Sequence, residues 1–292
     1  MEKTPRNLKV FFLLFFVGVN FVIWYAVFYF ESHQNFLVTF FDVGQGDSIF
    51  MEAPNGNQVL IDGGPGDRIL SKLGRVMPFW DRSIDLLILT HPHADHLDGT
   101  LEVLKRYDIG MVIESGVNHT IPEYEEWRKL LQEKRVEVII AAAGQRVNLS
   151  RLSHLDILTP FNGFLGASPK NVHDAMIISK LRYGSTTALL MGDAEKSLEY
   201  QLIFSGVDLK SDILKVGHHG SKTSTMEEFL KAVSPQIAVI SVGRKNRYGH
   251  PYQEVLDRLR SFGTTVFRTD QDGDIKFVSR GYNLTKYRLG DN

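Results

Sequence analysis

Apolar and polar positions divide the 292-residue chain into two unequal parts. Residues 10–30 are apolar except for Asn20 and a few tyrosines, a run long enough to cross a bilayer as one helix. A short polar stretch, residues 31–35, follows. The pattern then changes to short apolar runs separated by turn residues. Residues 36–41, 48–52 and 58–61 read as a β-meander, with Pro54-Asn55-Gly56-Asn57 as a hairpin turn. Residues 85–89, Asp85 followed by four aliphatic residues, predict a short buried strand. Leu97, Leu101 and Leu104 mark one side of a helix over 97–105. Strands are then predicted at 111–114, 136–141, 175–183, 186–191, 213–216, 237–242, 265–268 and 275–279. Helices are predicted at 123–134, 196–204, 226–233 and 252–262, and residues 163–172 read as a long loop. Two β-rich halves, each with helices, predict an α+β protein whose two sheets pack face to face with helices outside.

Charge gives the apolar run a direction. Lys3, Arg6 and Lys9 precede it and Glu31 follows it, so the positive-inside rule places residues 1–9 in the cytoplasm. Trp24, Tyr25 and Tyr29 suit the far membrane interface. A cleaved signal peptide is the alternative, but the run is long for one and no small-x-small site follows Phe30. The expectation is therefore a single-pass anchor in the cytoplasmic membrane over 10–30, a linker over 31–35, and a domain over 36–292 on the extracellular or periplasmic side.

Composition narrows the chemistry. The formal net charge is -1, which does not indicate a globally basic nucleic-acid binder. There is no cysteine, so disulfides, thiolate metal sites and cysteine nucleophiles are excluded. Any metal must be held by His, Asp or Glu.

Three polar clusters each follow an apolar strand. They are His91-Pro92-His93-Ala94-Asp95-His96, Gly192-Asp193-Ala194-Glu195, and Gly217-His218-His219-Gly220-Ser221. So many ionisable groups against a core need a partner, and a divalent metal accepts both imidazole nitrogen and carboxylate oxygen. A lone histidine is most often a surface or satisfied core residue. Four ligand-type residues within six positions at a strand end make that reading a poor fit for the cluster.

The HxHxDH pattern, with the later Gly-Asp and Gly-His, resembles the metallo-β-lactamase superfamily. The blocks Phe41-Asp42-Val43-Gly44-Gln45-Gly46-Asp47-Ser48, Leu60-Ile61-Asp62-Gly63-Gly64, residues 191–195, residues 215–222 and Asn246-Arg247-Tyr248-Gly249-His250-Pro251 resemble, in order, the corresponding domain of ComEC-type competence proteins. The resemblance covers nearly all of 36–279. It implies a four-layer αββα sandwich with one or two divalent ions, zinc or manganese, at one edge. By motif, His91 and His93 would hold the first ion; Asp95, His96 and His218 the second; Asp193 would bridge. Two such ions activate water and clamp the oxygens of a scissile group, with Asp95 in the catalytic set. Asp62 is expected to orient a ligand histidine, as is His219. Asp98 and Glu195 are read as supporting or solvated. His173, in Asn171-Val172-His173-Asp174, either completes the first ion's shell or is a loop histidine paired with Asp174.

Two flanking loops suit an anionic phosphate. Ser221, Lys222 and Thr223 follow the last ligand cluster; Asn246, Arg247 and Tyr248 lie on a basic loop. The plainer reading makes Ser224 or Thr225 a helix N-cap. His250 is the candidate general acid, or alternatively a hydrogen-bond partner of substrate. The resulting expectation is a metal-dependent phosphodiesterase acting on DNA or another phosphodiester. A competence role would require a separate DNA-channel protein, because this chain shows a single span. A superfamily hydrolase of another ester, thioester or lactone, and a non-catalytic anchored binding module, are the competing readings.

Overall fold

The computed structural model describes residues 6–32 and 34–288, in two units that divide after Asn35. The first unit is one helix, α1 (Arg6–Ser32). Its segment Asn7–Val27 has a mean hydropathy of 2.4, and at ~1.5 Å per residue it is long enough to span a ~30 Å hydrocarbon layer. Near its middle the polar Asn20 is satisfied locally, its amide donating to the Phe16 carbonyl at 2.9 Å. Lys3 and the side chains of Arg6, Tyr29 and Glu31, which entered the topology expectation, lie outside the described residues.

The second unit opens with β1 (Phe36–Phe40), β2 (Ile49–Glu52) and β3 (Gln58–Ile61), the expected meander. Next come α2 (Arg68–Val76), β4 (Ser83–Leu89), α3 (Ala94–Arg106), β5 (Asp108–Glu114), α4 (Pro122–Lys134) and β6 (Glu137–Ile140). The second half holds β7 (Arg146–Asn148), β8 (Ser153–Ile157), β9 (Ser179–Tyr183), β10 (Thr186–Leu190), α5 (Lys196–Ser205), β11 (Ile213–Lys215), α6 (Glu227–Val233) and β12 (Ile237–Ile240). It ends with α7 (Gln253–Ser261), β13 (Thr265–Arg268), α8 (Thr269–Asp272), β14 (Ile275–Ser279) and β15 (Leu284–Arg288).

The strands form two sheets, ordered β15-β14-β1-β2-β3-β4-β5-β6 and β13-β12-β11-β10-β9-β8-β7. Three apolar clusters hold the layers together. Phe36, Phe40, Met51, Ile88, Leu155, Ile213 and Phe277 fill the space between the sheets. Leu73, Leu97, Leu104 and Trp127 seat α2, α3 and α4 on the outer face of the first sheet. Leu198, Leu202, Phe229 and Leu259 seat α5, α6 and α7 on the second. The result is the expected αββα sandwich.

Elements missed in the sequence have weak or short patterns. On α2 Ile69, Leu70, Leu73 and Val76 mark an apolar stripe, with Ile69 and Leu73 fully buried, but the helix has only nine residues. β7 has three residues, none of them buried. The expected N-cap of α6 is also corrected. Its cap residue is Met226, and no side chain of its own caps it. Instead the buried Glu199 carboxylate accepts from the Thr225 and Met226 amides, while Ser224 Oγ donates to the Gly217 carbonyl at 2.7 Å.

Candidate active site

Parallel pairing brings the polar clusters together. β3 runs parallel to β4, and β10, β11 and β12 run parallel to one another. The loops after these strands therefore emerge at one end of the sandwich. They carry Asp62, His91–His96, Asp193, His218–His219 and the loop after β12, so residues far apart in sequence share one edge.

Two glycines seat the first cluster. A Cβ on Gly63 would lie 2.2 Å from the Thr100 nitrogen, and one on Gly99 would lie 2.0 Å from the Gly63 carbonyl oxygen. Without side chains, the start of α3 rests directly on the turn after β3, and the Gly63 amide donates to the His96 carbonyl at 2.8 Å. That contact puts His96 Nδ1 2.7 Å from the Asp62 carboxylate. Asp62 also accepts from the Thr90 amide at 2.8 Å and the Thr90 hydroxyl at 2.7 Å. Thr90 Oγ1 in turn lies 3.2 Å from His91 Nδ1. One buried carboxylate thus contacts His96 directly and His91 through Thr90. Asp62→Asn is expected to weaken divalent-metal affinity by roughly 10- to 100-fold with the fold retained, measured by competition with a chromophoric chelator.

Among the described residues, nitrogen and oxygen atoms converge in four overlapping groups, two of which hold the HxHxDH side chains together with His173, Asp193 and His219. His91, His93 and His173 form the first, with their ligand atoms within 4.8 Å of one another. His173 therefore stands with the first pair; its Nδ1 faces Glu195 at 4.0 Å, and Asp174 points to solvent. Asp95, His96, Asp193 and His219 form the second group. Asp193 is 3.4 Å from both His96 Nε2 and His219 Nε2, and Asp95 is 3.4 Å from His219 Nε2.

The placement of His218 and His219 differs from expectation. His219, not His218, stands beside Asp95, His96 and Asp193. Both residues adopt the left-handed conformation, with φ of 48° and 54°, so the turn rotates their rings to different neighbours. His219 points inward, its Nδ1 2.8 Å from the Ser241 carbonyl. His218 is half-buried with His173 and Glu195, its Nδ1 3.3 Å from the Glu195 carboxylate.

The donor set fits divalent metal. His96 Nε2, His173 Nε2, His219 Nε2 and Asp193 Oδ1 are buried yet have no hydrogen-bond partner. Such groups are costly in a folded interior unless an ion engages them. The electrostatics agree. Burial disfavours charge on His91 and His93, holding His91 well below its ordinary pKa and His93 at about 4, so both are neutral and able to ligate. Burial also opposes charge on His96 and His219, but carboxylates outweigh it. Asp193, Asp62 and Asp95 hold His96 well above its ordinary value; Asp193 and Asp95 raise His219 to about 10. Asp95 is lowered to about 2 despite burial, chiefly by His96. Protons on His96 and His219 thus occupy the place that an ion would take.

The substrate-loop residues separate. Ser221 and Thr223 bond to each other at 3.0 Å, Thr223 donates to Glu195 at 2.8 Å, and Lys222 lies over the Tyr252 ring. Their polar groups are engaged within their own region. Asn246, Arg247 and Tyr248 line an open cleft of about 640 Å³ that also includes Asp95, Gln45, Arg68 and Lys245. Asn246 braces its loop there, donating to the Gly243 and His250 carbonyls and accepting from the Tyr248 and His250 amides. His250 packs near His218 and His219, and burial with those two rings lowers it to about 4. It is therefore neutral at pH 7, which suits hydrogen bonding better than general-acid work.

Three charged residues join this edge without having been assigned a role from sequence. Arg68, at the start of α2, enters the cleft. Lys215 is completely buried, donates to the Gly192 carbonyl at 2.9 Å and pairs with Asp47, whose other oxygen is 3.5 Å from His219 Nδ1. The signal for Lys215 was present: it is the one charged residue in the apolar strand 213–216.

The model of the metallo-beta-lactamase superfamily matches residues 41–244. The chain belongs to this superfamily. Among curated relatives, ComE operon protein 3 of Bacillus subtilis is 34% identical, covering 82% of this chain and 32% of that protein. Recombination protein 2 of Haemophilus influenzae is 33% identical, covering 84% and 29%. The chain spans about a third of the length of these relatives. The metallo-beta-lactamase fold protein YhfI of Bacillus subtilis superposes with a TM-score of 0.55 at 13% identity, over 84% of this chain and all of that one, which shows a shared fold. This is a metallo-beta-lactamase-superfamily hydrolase with competence-protein homologues.

Proposed function

We propose that this metallo-beta-lactamase-fold hydrolase is a membrane-anchored phosphodiesterase that cleaves DNA outside the cell, alongside a separate DNA-channel protein. The observation that carries the reading is the open cleft leading to Asp95, which places Arg68, Lys245 and Arg247 beside the second ligand group. Three cations from two distant loops suit a polyanion better than a small neutral ester or lactone. The competence relatives point the same way, and α1 supplies an anchor that directs the domain away from the cytoplasm.

His91, His93 and His173 would hold one divalent ion, and Asp95, His96, Asp193 and His219 another. Such ions would activate water at neutral pH and neutralise charge on the scissile phosphate. The protein's own groups do the positioning. Arg68, Lys245 and Arg247 hold flanking phosphates through charge-assisted contacts. Asp62 and Thr90 keep the His96 and His91 rings in register. His250 offers a neutral ring nitrogen to a substrate oxygen near His219.

The reading is tested by assaying the purified full chain, with Mn²⁺ or Zn²⁺, on single-stranded DNA, bis-p-nitrophenyl phosphate and a lactam. Diester cleavage is expected; lactam turnover without it would exclude a nuclease. Arg68→Ala and Lys245→Ala should raise KM for DNA, each reducing the salt dependence by about one phosphate contact, and leave the small diester unaffected.

A further inference from the structure

Four exposed apolar side chains of the hydrolase domain, Phe79, Trp80, Leu152 and Tyr282, lie at the end of the sandwich opposite the ligand groups. Phe79 and Trp80 are 81% and 73% exposed, with rings in edge contact at 4.8 Å. They sit just before β4, whose first residue, Ser83, marks the far end of that strand from His91. Leu152, 65% exposed, is in the turn before β8, and Tyr282, 73% exposed, follows β14.

Strand register places these turns at one end. Phe36 pairs with Ser279, Leu37 with Glu52, and Glu52 with Gln58. Val59 pairs with Leu86, which sets Ser83 at the same end of the first sheet as Phe36. In the second sheet Ser153 pairs with Tyr183, whose ring lies 5.5 Å from that of Phe36. The turns also bond to each other: the Gly184 amide donates to Leu152 at 3.2 Å, and the Ser185 amide to Gly281 at 2.6 Å.

This end is also where the chain enters the domain, at Phe36, four positions after the membrane-length helix α1 ends at Ser32. Four residues reach at most ~14 Å when extended. Arg75 and Arg82 flank Phe79 and Trp80 in sequence and are exposed, Arg82 also donating to the Tyr107 hydroxyl at 3.1 Å. Two nearby carboxylates are engaged by the protein, Asp81 accepting from Ser83 and Gln58 and Asp85 from the Gln58 amide, while Asp108, paired with Ser83 across the sheet, is exposed. Aromatic rings with arginines suit the boundary between lipid headgroups and acyl chains, where amphipathic rings and long cationic side chains are favoured.

We infer that this end of the domain rests on the lipid bilayer, inserting Phe79 and Trp80 at the headgroup level, with Leu152 and Tyr282 forming a second contact. The inference rests on the anchored reading of α1, and tryptophan emission tests the two separately. The chain has Trp24 in α1, Trp80 at the proposed contact and Trp127 fully buried in the core.

The full chain is reconstituted in phosphatidylcholine vesicles with and without brominated acyl chains, which quench only tryptophans in contact with them. Wild-type emission should be quenched through Trp24 and Trp80. In Trp24→Phe, quenching should persist, and Trp24→Phe/Trp80→Phe should lose it. If wild type is quenched and Trp24→Phe is not, the lipid-contact inference is overturned while the anchor stands. Equal quenching in Trp24→Phe and the double variant also overturns it. An unquenched wild type removes the anchor and the inference together. Trp24→Leu serves in the same role if the phenylalanine variant does not insert.

Discussion

Asp193→Ala is expected to lower metal-dependent hydrolysis by roughly 10³-fold, the effect of losing several kcal/mol of charge stabilisation. The carboxylate stands 3.4 Å from both His96 and His219, is buried, and has an oxygen with no other partner. Its own pKa is held well below the ordinary carboxylate range, because the charges of His219 and His96 outweigh burial. The variant should also bind less metal, shown by elemental analysis after gel filtration. Wild-type affinity should rise with pH, because metal must displace the protons on His219, raised to about 10, and on His96. Below both values two protons compete with one ion, so the apparent affinity should climb by up to about 100-fold per pH unit. A pH-stat titration should detect the released protons.

Lys215→Met is expected to destabilise the domain by about 3–5 kcal/mol, the usual consequence of stranding one member of a buried ion pair. Lys215 and Asp47 have almost no exposed side-chain surface and are joined directly. Losing the lysine strands the Asp47 carboxylate and leaves the Gly192 carbonyl, just before Asp193, with the His218 amide as its remaining donor. Urea unfolding of the detergent-solubilised chain would measure the loss. Adding Asp47→Leu to Lys215→Met should recover much of it, because an apolar pair of similar volume needs no compensation. A double variant as unstable as the single one would show that the pair itself is not what matters.

Much of this was legible because the decisive signals are local. The apolar run at the N-terminus, the strand before His91 and the glycine-flanked clusters can each be read without their partners. What sequence left open depends on three-dimensional placement. Whether His218 or His219 turns inward is set by two successive left-handed residues, and neither side chain differs in composition. Whether His173 joins His91 and His93 depends on where a long loop returns before β9. Arg68 reaches the cleft from a helix of only nine residues that was not foreseen. Ser221 and Thr223 looked like phosphate ligands by type, but their hydroxyls are engaged with each other and with Glu195.

The central claim is a metal-dependent phosphodiester hydrolase, and cleavage of a labelled single-stranded oligonucleotide tests it most directly. The metal-free full chain should be inactive, gain activity on addition of Mn²⁺ or Zn²⁺, lose it again to chelator, and show none of it in Asp193→Ala. Cleavage that survives both chelation and Asp193→Ala, or no diester cleavage with either ion, would contradict the account.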